Sequence, residues 1–243
     1  LRFNTDSKHL EYYRGDTIGW SDIEASSEEL DGGYRAIAFG GNNGDKYTDI
    51  EYFTISTLGN ALDFGNLAVK RGGAAACASR TRGIVATGQE GPSGLTADID
   101  YITISSTGDS TDFGDVTDDR DFPAGLSSQT RGIFACGRIT QPGTAGNVID
   151  YITIASTGNA VDFGDTRSTT LYYPMCLASS TRGILASGTG GSPSTSQIDF
   201  VTISSTGNGV EFGTLSDNFG GVGASNSTRG IFAGGYNPGL CNS

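Results

Sequence analysis

The stretch Ile149-Asp150-Tyr151-Ile152-Thr153-Ile154-Ala155-Ser156-Thr157-Gly158-Asn159-Ala160-Val161-Asp162-Phe163-Gly164-Asp165 decides the architecture, because it recurs. Ile50-Glu51-Tyr52, Ile99-Asp100-Tyr101 and Ile198-Asp199-Phe200 open segments of the same wording. The aromatic positions 52, 101, 151 and 200 lie 49, 50 and 49 residues apart. Self-similarity at such a period is the signature of a repeat architecture. A second motif, of the type TRGIFA, follows each segment at Arg82-Gly83-Ile84, Arg131-Gly132-Ile133, Arg182-Gly183-Ile184 and Arg229-Gly230-Ile231. A further copy, Arg35-Ala36-Ile37, precedes the first.

Each period reads as short strands. Ile149, Tyr151 and Ile154 stand among β-branched and aromatic neighbours, and the run stops at Ser156-Thr157-Gly158-Asn159, where glycine and asparagine suit positive φ in a hairpin turn. Val161 and Phe163 mark a second strand, residues 176–179 a third, and residues 184–187 a fourth. Four short strands per period of about 49 residues, with no stretch of helical period, predict an all-β radial array of small antiparallel sheets, a β-propeller.

The chain ends set the count. After residues 231–235 no further IDY segment follows, so the last blade lacks two strands. Leu10-Glu11-Tyr12-Tyr13 followed by Gly19-Trp20-Ser21-Asp22-Ile23 has the missing shape, and residues 24–41 then supply two strands of the next blade. The reading is one domain, 1–243, with five blades at about 24–67, 68–116, 117–166, 167–215, and 216–243 plus 1–23. The N-terminal segment closes the ring, within one chain or between chains, and closure removes exposed sheet edges.

Composition agrees. Gly is 38 of 243 residues while the apolar fraction is 36%, which suits many turns and few broad helix faces. The net charge of −12 repels phosphate backbones and anionic lipid, so nucleic acid and membrane insertion are not expected. With His9 the one histidine, no Ser-His-Asp triad is credible. Cys77, Cys136, Cys176 and Cys241 are too widely spaced for a zinc pattern, so neither metal nor cofactor is expected. The first three are placed on inner strands as small hydrophobes. Met175 is the one methionine, so the chain reads as a processed product or a portion of a longer protein.

Strands ending in Gly-Gly at residues 37–41 and 231–235, a tyrosine strand, a turn and then an aromatic resemble the kelch repeat of β-propellers. The endings Thr87-Gly88, Cys136-Gly137 and Ser187-Gly188 depart from that pattern. The particular wording, IDYxTIxSTGNAxDFGD alternating with SSTRGIFAGG, resembles repeats in virion structural and tail-fibre proteins of bacteriophages. That resemblance implies an extracellular or virion location and protein subunits as partners.

Candidate residues fall into two sets. Arg35, Arg82, Arg131, Arg182 and Arg229, the acids Glu11, Glu51, Asp100, Asp150 and Asp199, and the aromatics Trp20, Phe64, Phe113, Phe163 and Phe212 recur once per blade, as scaffold positions do. The arginines are expected to tie a hairpin to a neighbouring strand by charge-assisted hydrogen bonds. Asp112, Asp115, Asp162 and Asp165 read as turn caps rather than a calcium site, because no dense DxDxDG run is present. No lone pair of acids stands apart as a glycosidase pair would. Binding residues are sought where the repeats differ, on one face carrying Tyr47, Arg120, Phe122, Arg138, Arg167, Tyr172, Tyr173 and Phe219. Asn226-Ser227-Thr228 is a glycosylation sequon. The functional expectation is a non-enzymatic extracellular structural or adhesion module that binds a surface receptor or a neighbouring subunit. The alternatives are a lectin-like propeller taking surface glycans, and a fibril subunit linked by N-terminal strand exchange.

Overall fold

The computed structural model describes residues 2–5, 10–13, 16, 20–22, 35–91, 94–140, 144–168, 171, 173–188, 195–216, 220–226 and 228–236. The chain divides into two compact units, Leu1–Leu30 and Asp31–Ser243. Among the described residues every regular element is a β-strand and the sheets are antiparallel.

The first unit is a three-stranded sheet of β1 (Arg2–Phe3), β2 (Leu10–Tyr13) and β3 (Trp20–Asp22), with β2 in the middle. Glu11 faces Arg2 across one edge and Asp22 across the other. Trp20 faces Tyr13, their rings 5.3 Å apart, and the Arg2 guanidinium lies 4.3 Å from the indole. In the repeats, the residue facing the acid is the Asp or Glu just before the phenylalanine, as Asp112 faces Asp100 and Glu211 faces Asp199. Trp20 therefore precedes that position by two residues, which corrects its grouping with Phe64, Phe113, Phe163 and Phe212. Residues 24–34, expected to begin the next blade, lie outside the described residues.

The second unit begins with a three-stranded sheet, β4 (Arg35–Phe39), β5 (Asp49–Thr54) and β6 (Leu62–Asn66). Three four-stranded sheets follow. The first comprises β7 (Ala75–Ala78), β8 (Arg82–Gln89), β9 (Leu95–Thr103) and β10 (Thr111–Asp115). The second comprises β11 (Ala124–Ser127), β12 (Arg131–Ala135), β15 (Val148–Thr153) and β16 (Val161–Asp165), with a small hairpin of β13 (Arg138–Thr140) and β14 (Thr144–Ala145) beside it. The third comprises β17 (Met175–Ala178), β18 (Arg182–Gly188), β19 (Thr195–Thr202) and β20 (Val210–Thr214). The last sheet has two strands, β21 (Gly220–Ser225) and β22 (Gly230–Tyr236).

The register is the same each time: Ile37 faces Tyr52, Ile84 faces Tyr101, Ile133 faces Tyr151 and Ile184 faces Phe200. Strand alternation then sends successive residues to opposite faces, and each face packs on a different neighbour. Ile50, Phe64 and Leu67 meet Val85 and Ile102 of the next sheet. Ile84, Ile99 and Phe113 meet Phe134, Ile152 and Ile154. Ile133, Ile149 and Phe163 meet Leu185, Val201 and Ile203. The core is thus a series of thin apolar layers shared between consecutive sheets.

Strands β7, β11, β17 and β21 run side by side, and their small residues answer to crowding. A Cβ on Gly125 would lie 2.5 Å from the Ala76 carbonyl oxygen. Ser127 Oγ donates to Ala78 O and Ser225 Oγ to Ala178 O, both at 2.7 Å, and Cys176 Sγ donates to Gly125 O at 3.0 Å. Cys77 and Cys176 lie on these inner strands. Cys136 does not: it follows β12 and adopts φ 61°, as Thr87 does at 63° and Gly40 at 55°. Thr87 and Cys136, two of the positions that depart from Gly-Gly, therefore keep the left-handed backbone in spite of their side chains, a strained conformation for residues with a Cβ.

Candidate functional site

The turns and bulges of the repeat are joints between sheets. In each fourth strand the ladder shifts register around the phenylalanine. There Gly65, Gly114 and Gly164 adopt φ of 148°, 139° and 141°, and a Cβ on any of them would strike the backbone of Gly108, Gly158 or Gly207 in the next sheet. Those three glycines donate their amides at 2.7 Å to Phe64 O, Phe113 O and Phe163 O. Asn159 supplies a side chain rather than the expected positive φ: its Oδ1 accepts from the Asp115 amide at 3.2 Å, as Asn208 Oδ1 does from Asp165 at 3.1 Å. Asp112 and Asp162 cap locally, accepting from Gly114 and Gly164.

The repeated arginines join the same joints. Arg35, Arg82, Arg131 and Arg182 lie 4.5–4.7 Å over the rings of Tyr52, Tyr101, Tyr151 and Phe200 of their own sheets. Arg35 Nη1 then donates to Ile104 O at 2.7 Å, Arg82 to Ile154 O at 2.9 Å and Arg131 to Ile203 O at 3.1 Å, each in the following sheet. Such charge-assisted bonds to carbonyls lock neighbouring sheets together.

A second set of arginines takes up the repeated acids. Arg71 Nη2 donates to Asp100 at 2.7 Å and Nη1 to Asp98 O at 2.9 Å. Arg120 pairs with Asp150, which also accepts from Thr117. Arg167 Nε donates to Asp199 at 2.8 Å and Nη1 to Glu211 at 2.9 Å. Arg71, Arg120 and the three aspartates are buried. Burial pushes the Asp100 carboxyl up from its ordinary value, against the pull of Arg71. Arg120, expected on an exposed binding face, is fully buried and spent on Asp150, and Arg167 is likewise an ion-pair partner. Arg71 escaped the sequence reading because its linker shares little wording with the others. The position of Arg71 and Arg120, four residues before the inner strand, is taken by Leu171 in the third linker, and Arg167 reaches Asp199 from that linker's other end.

Three of the expected binding residues do come together. Phe122 and Tyr173 adopt φ of 53° and 50°, at the place where Gly73 has 68°. Their rings lie 4.3 Å apart, and the Phe122 ring fills the space a Cβ on Gly73 would need. Each precedes a proline, which further restricts its backbone. Arg138 lies 5.5 Å from the Phe122 ring and forks onto buried Asp121, with Nε to Oδ1 at 2.8 Å. Burial raises the Tyr173 phenol's pKa, opposed by Arg138. The result is an aromatic step, half exposed at Tyr173, beside a held guanidinium, held on a backbone of the strained kind that functional sites store. Tyr47 belongs elsewhere, beside Ala38, Gly40, Asp49 and Glu51. Tyr172 and Phe219 lie outside the described residues. Asn226 Oδ1 caps its own turn, accepting from the Thr228 and Arg229 amides, where the other repeats use Ser79, Ser128 and Ser179.

No protein-family model and no curated protein matches this sequence. Solved structures do, 148 chains in all. One of them, the structure of YjhT, is similar at a TM-score of 0.71 over 85% of this chain and 76% of its own, with 12% identity. A likeness at that identity shows fold alone: an all-β array of consecutive antiparallel sheets.

Proposed function

We propose that this chain is a five-bladed, kelch-like β-propeller serving as a non-enzymatic structural and adhesion module of an extracellular appendage, such as a phage virion or tail fibre. The fifth blade is β21–β22 completed by a strand pair of the N-terminal pattern. One observation carries the reading: most of the arginines, acids and aromatics that recur are absorbed into joints between sheets, as in a scaffold, and three of the residues that differ between repeats gather at Tyr173, Phe122 and Arg138. That step presents a flat aromatic beside a guanidinium, which suits a receptor's sugar ring or a protein side chain. Electron micrographs of the purified chain test the module, with discs or strings of discs expected. A soluble hydrolase without disc-shaped particles overturns the reading. The lectin alternative is favoured by the same step. On a glycan array, Tyr173→Ala then removes binding with the fold intact by circular dichroism, and an array silent for the parent chain rejects it.

A further inference from the structure

The last sheet of the second unit leaves a place unfilled. Phe64, Phe113 and Phe163 are each 2% exposed, whereas Phe212, at the same position, is 54% exposed. Gly65, Gly114 and Gly164 are pressed by the next sheet's turn, whereas a Cβ on Gly213 would meet nothing within 4 Å. Arg182 stacks on Phe200 like its counterparts, yet among the described residues no carbonyl receives it, and no amide meets Phe212 O. A groove of about 300 Å³ remains, lined by Leu177, Arg182, Ile184, Phe212, Arg229 and Phe232. Among the described residues β22 pairs with β21 alone. What is missing is a third strand with its turn, the part that elsewhere bears Ile-Asp-Tyr.

Strand β2 has that wording, Leu10-Glu11-Tyr12, and β3 pairs with it as a fourth strand does. Its other edge is taken by β1, where Arg2 faces Glu11 and Phe3 faces Leu10. These are the places Val85 and Ala86 hold opposite Asp100 and Ile99. In the last sheet the corresponding residues are Phe232 and Ala233, since Phe232 faces Gly223 as Val85 faces Ala76. The pair β1 and β22 therefore compete for one edge of β2, and β1 offers two residues against seven.

Chain length bears on whose hairpin fills the place. From the acid-facing aspartate of a fourth strand to the next repeated arginine there are 19 residues from Asp63 to Arg82, 19 from Asp112 to Arg131 and 20 from Asp162 to Arg182, but 13 from Asp22 to Arg35. Seven residues run from the start of an inner strand to its arginine, as from Ala75 to Arg82 and from Ala124 to Arg131, so six of the 13 remain for the crossing, about 20 Å at full extension. Crossing a four-stranded sheet takes roughly 14 Å at ~4.8 Å per strand. Within one chain the hairpin could fill the place only on a largely extended linker, where the other repeats have twelve or thirteen residues from the acid-facing residue to the inner strand, and a short hinge under strain favours exchange between copies. A hairpin from another molecule needs no such crossing.

We infer that the groove beside Phe212 is a docking site for the β2–β3 hairpin of a second copy of this chain, which exchanges its β1 for the free edge of β22 and so links molecules head to tail. This rests on the five-bladed reading. Heterologous contacts of this kind build rings where the rotation closes and open filaments where it does not. The register predicts Tyr12 opposite Ile231, as Tyr101 is opposite Ile84. Facing positions suit a disulfide. Chains carrying Tyr12→Cys alone and Ile231→Cys alone, both with Cys241→Ser, are mixed and oxidised. The expected result is a disulfide-linked pair of unlike chains, at least tenfold above a mixture lacking either new cysteine, and a ladder from the doubly substituted chain. If the doubly substituted chain instead forms an internal disulfide and the mixture forms no pair, the second copy is overturned and the five-bladed reading stands. If neither cross-links while circular dichroism shows intact β-structure, both fall. Leu10→Cys with Ala233→Cys repeats the test at the adjacent register.

Discussion

Phe163 and Phe212 have the same neighbours within their own sheets, an aromatic from the third strand and a bulge glycine, yet one is sealed and the other half open. The difference lies wholly in what comes next along the chain. Phe163 is covered by Val201 and Ile203 and its carbonyl is met by Gly207, while among the described residues Phe212 meets no third strand of a following sheet. The start of the second unit shows the reverse face of the same lesson: Ile55 is 67% exposed where Ile104, Ile154 and Ile203 are 8%, 1% and 1%. In this architecture a sheet supplies half an interface, and stability is a property of neighbouring pairs.

That comparison can be broken by substitution. Arg120→Ala leaves Asp150 buried without its cation and should cost about 3–5 kcal/mol in urea unfolding. Arg182→Ala, at the open end, should cost less than about 1 kcal/mol. Next in size, Phe163→Ala should lose roughly 3–5 kcal/mol, while Phe212→Ala in the unassembled chain should lose under about 1 kcal/mol. Equal losses would mean that Phe212 is already covered. Gly164→Ala should cost about 1–3 kcal/mol more than Gly213→Ala, because both share the backbone strain but Gly164 alone meets a neighbouring turn.

The smallest effect near neutral pH concerns the thiols. Burial pushes Cys77 and Cys136 up to about 12 and Cys176 to about 11. The unfolded chain releases these protons near 9 while the folded chain keeps them, so the contribution is constant below about 9 and is lost as pH rises toward 12. Urea midpoints at pH 8 and pH 10 should therefore diverge, and replacing the three cysteines with alanine should remove much of the divergence. Thiol reagents at pH 8 should label none of the three in the native chain.

Much of the joint was legible in the wording, though not its meaning. The glycines of the IDY turn and of the DFG bulge read as separate local turns, and the structure makes them a pair about 43 residues apart, Gly108 against Gly65 and Gly158 against Gly114. Thr87 and Cys136 read as departures from Gly-Gly. They keep its conformation because the following amides, Gly88 N and Gly137 N, must reach Arg120 O and Leu171 O. Arg120 read as surface because its linker varies, and a variable linker can still bury one anchored side chain.

By itself the sequence determined the period, the strand wording and the up-and-down order within each sheet, because these follow from alternation and turn residues over fewer than ten positions. The tertiary structure alone decided which arginine meets which acid and which phenylalanine is sealed. Those outcomes depend on groups brought together from distant parts of the chain, and no local pattern encodes such meetings.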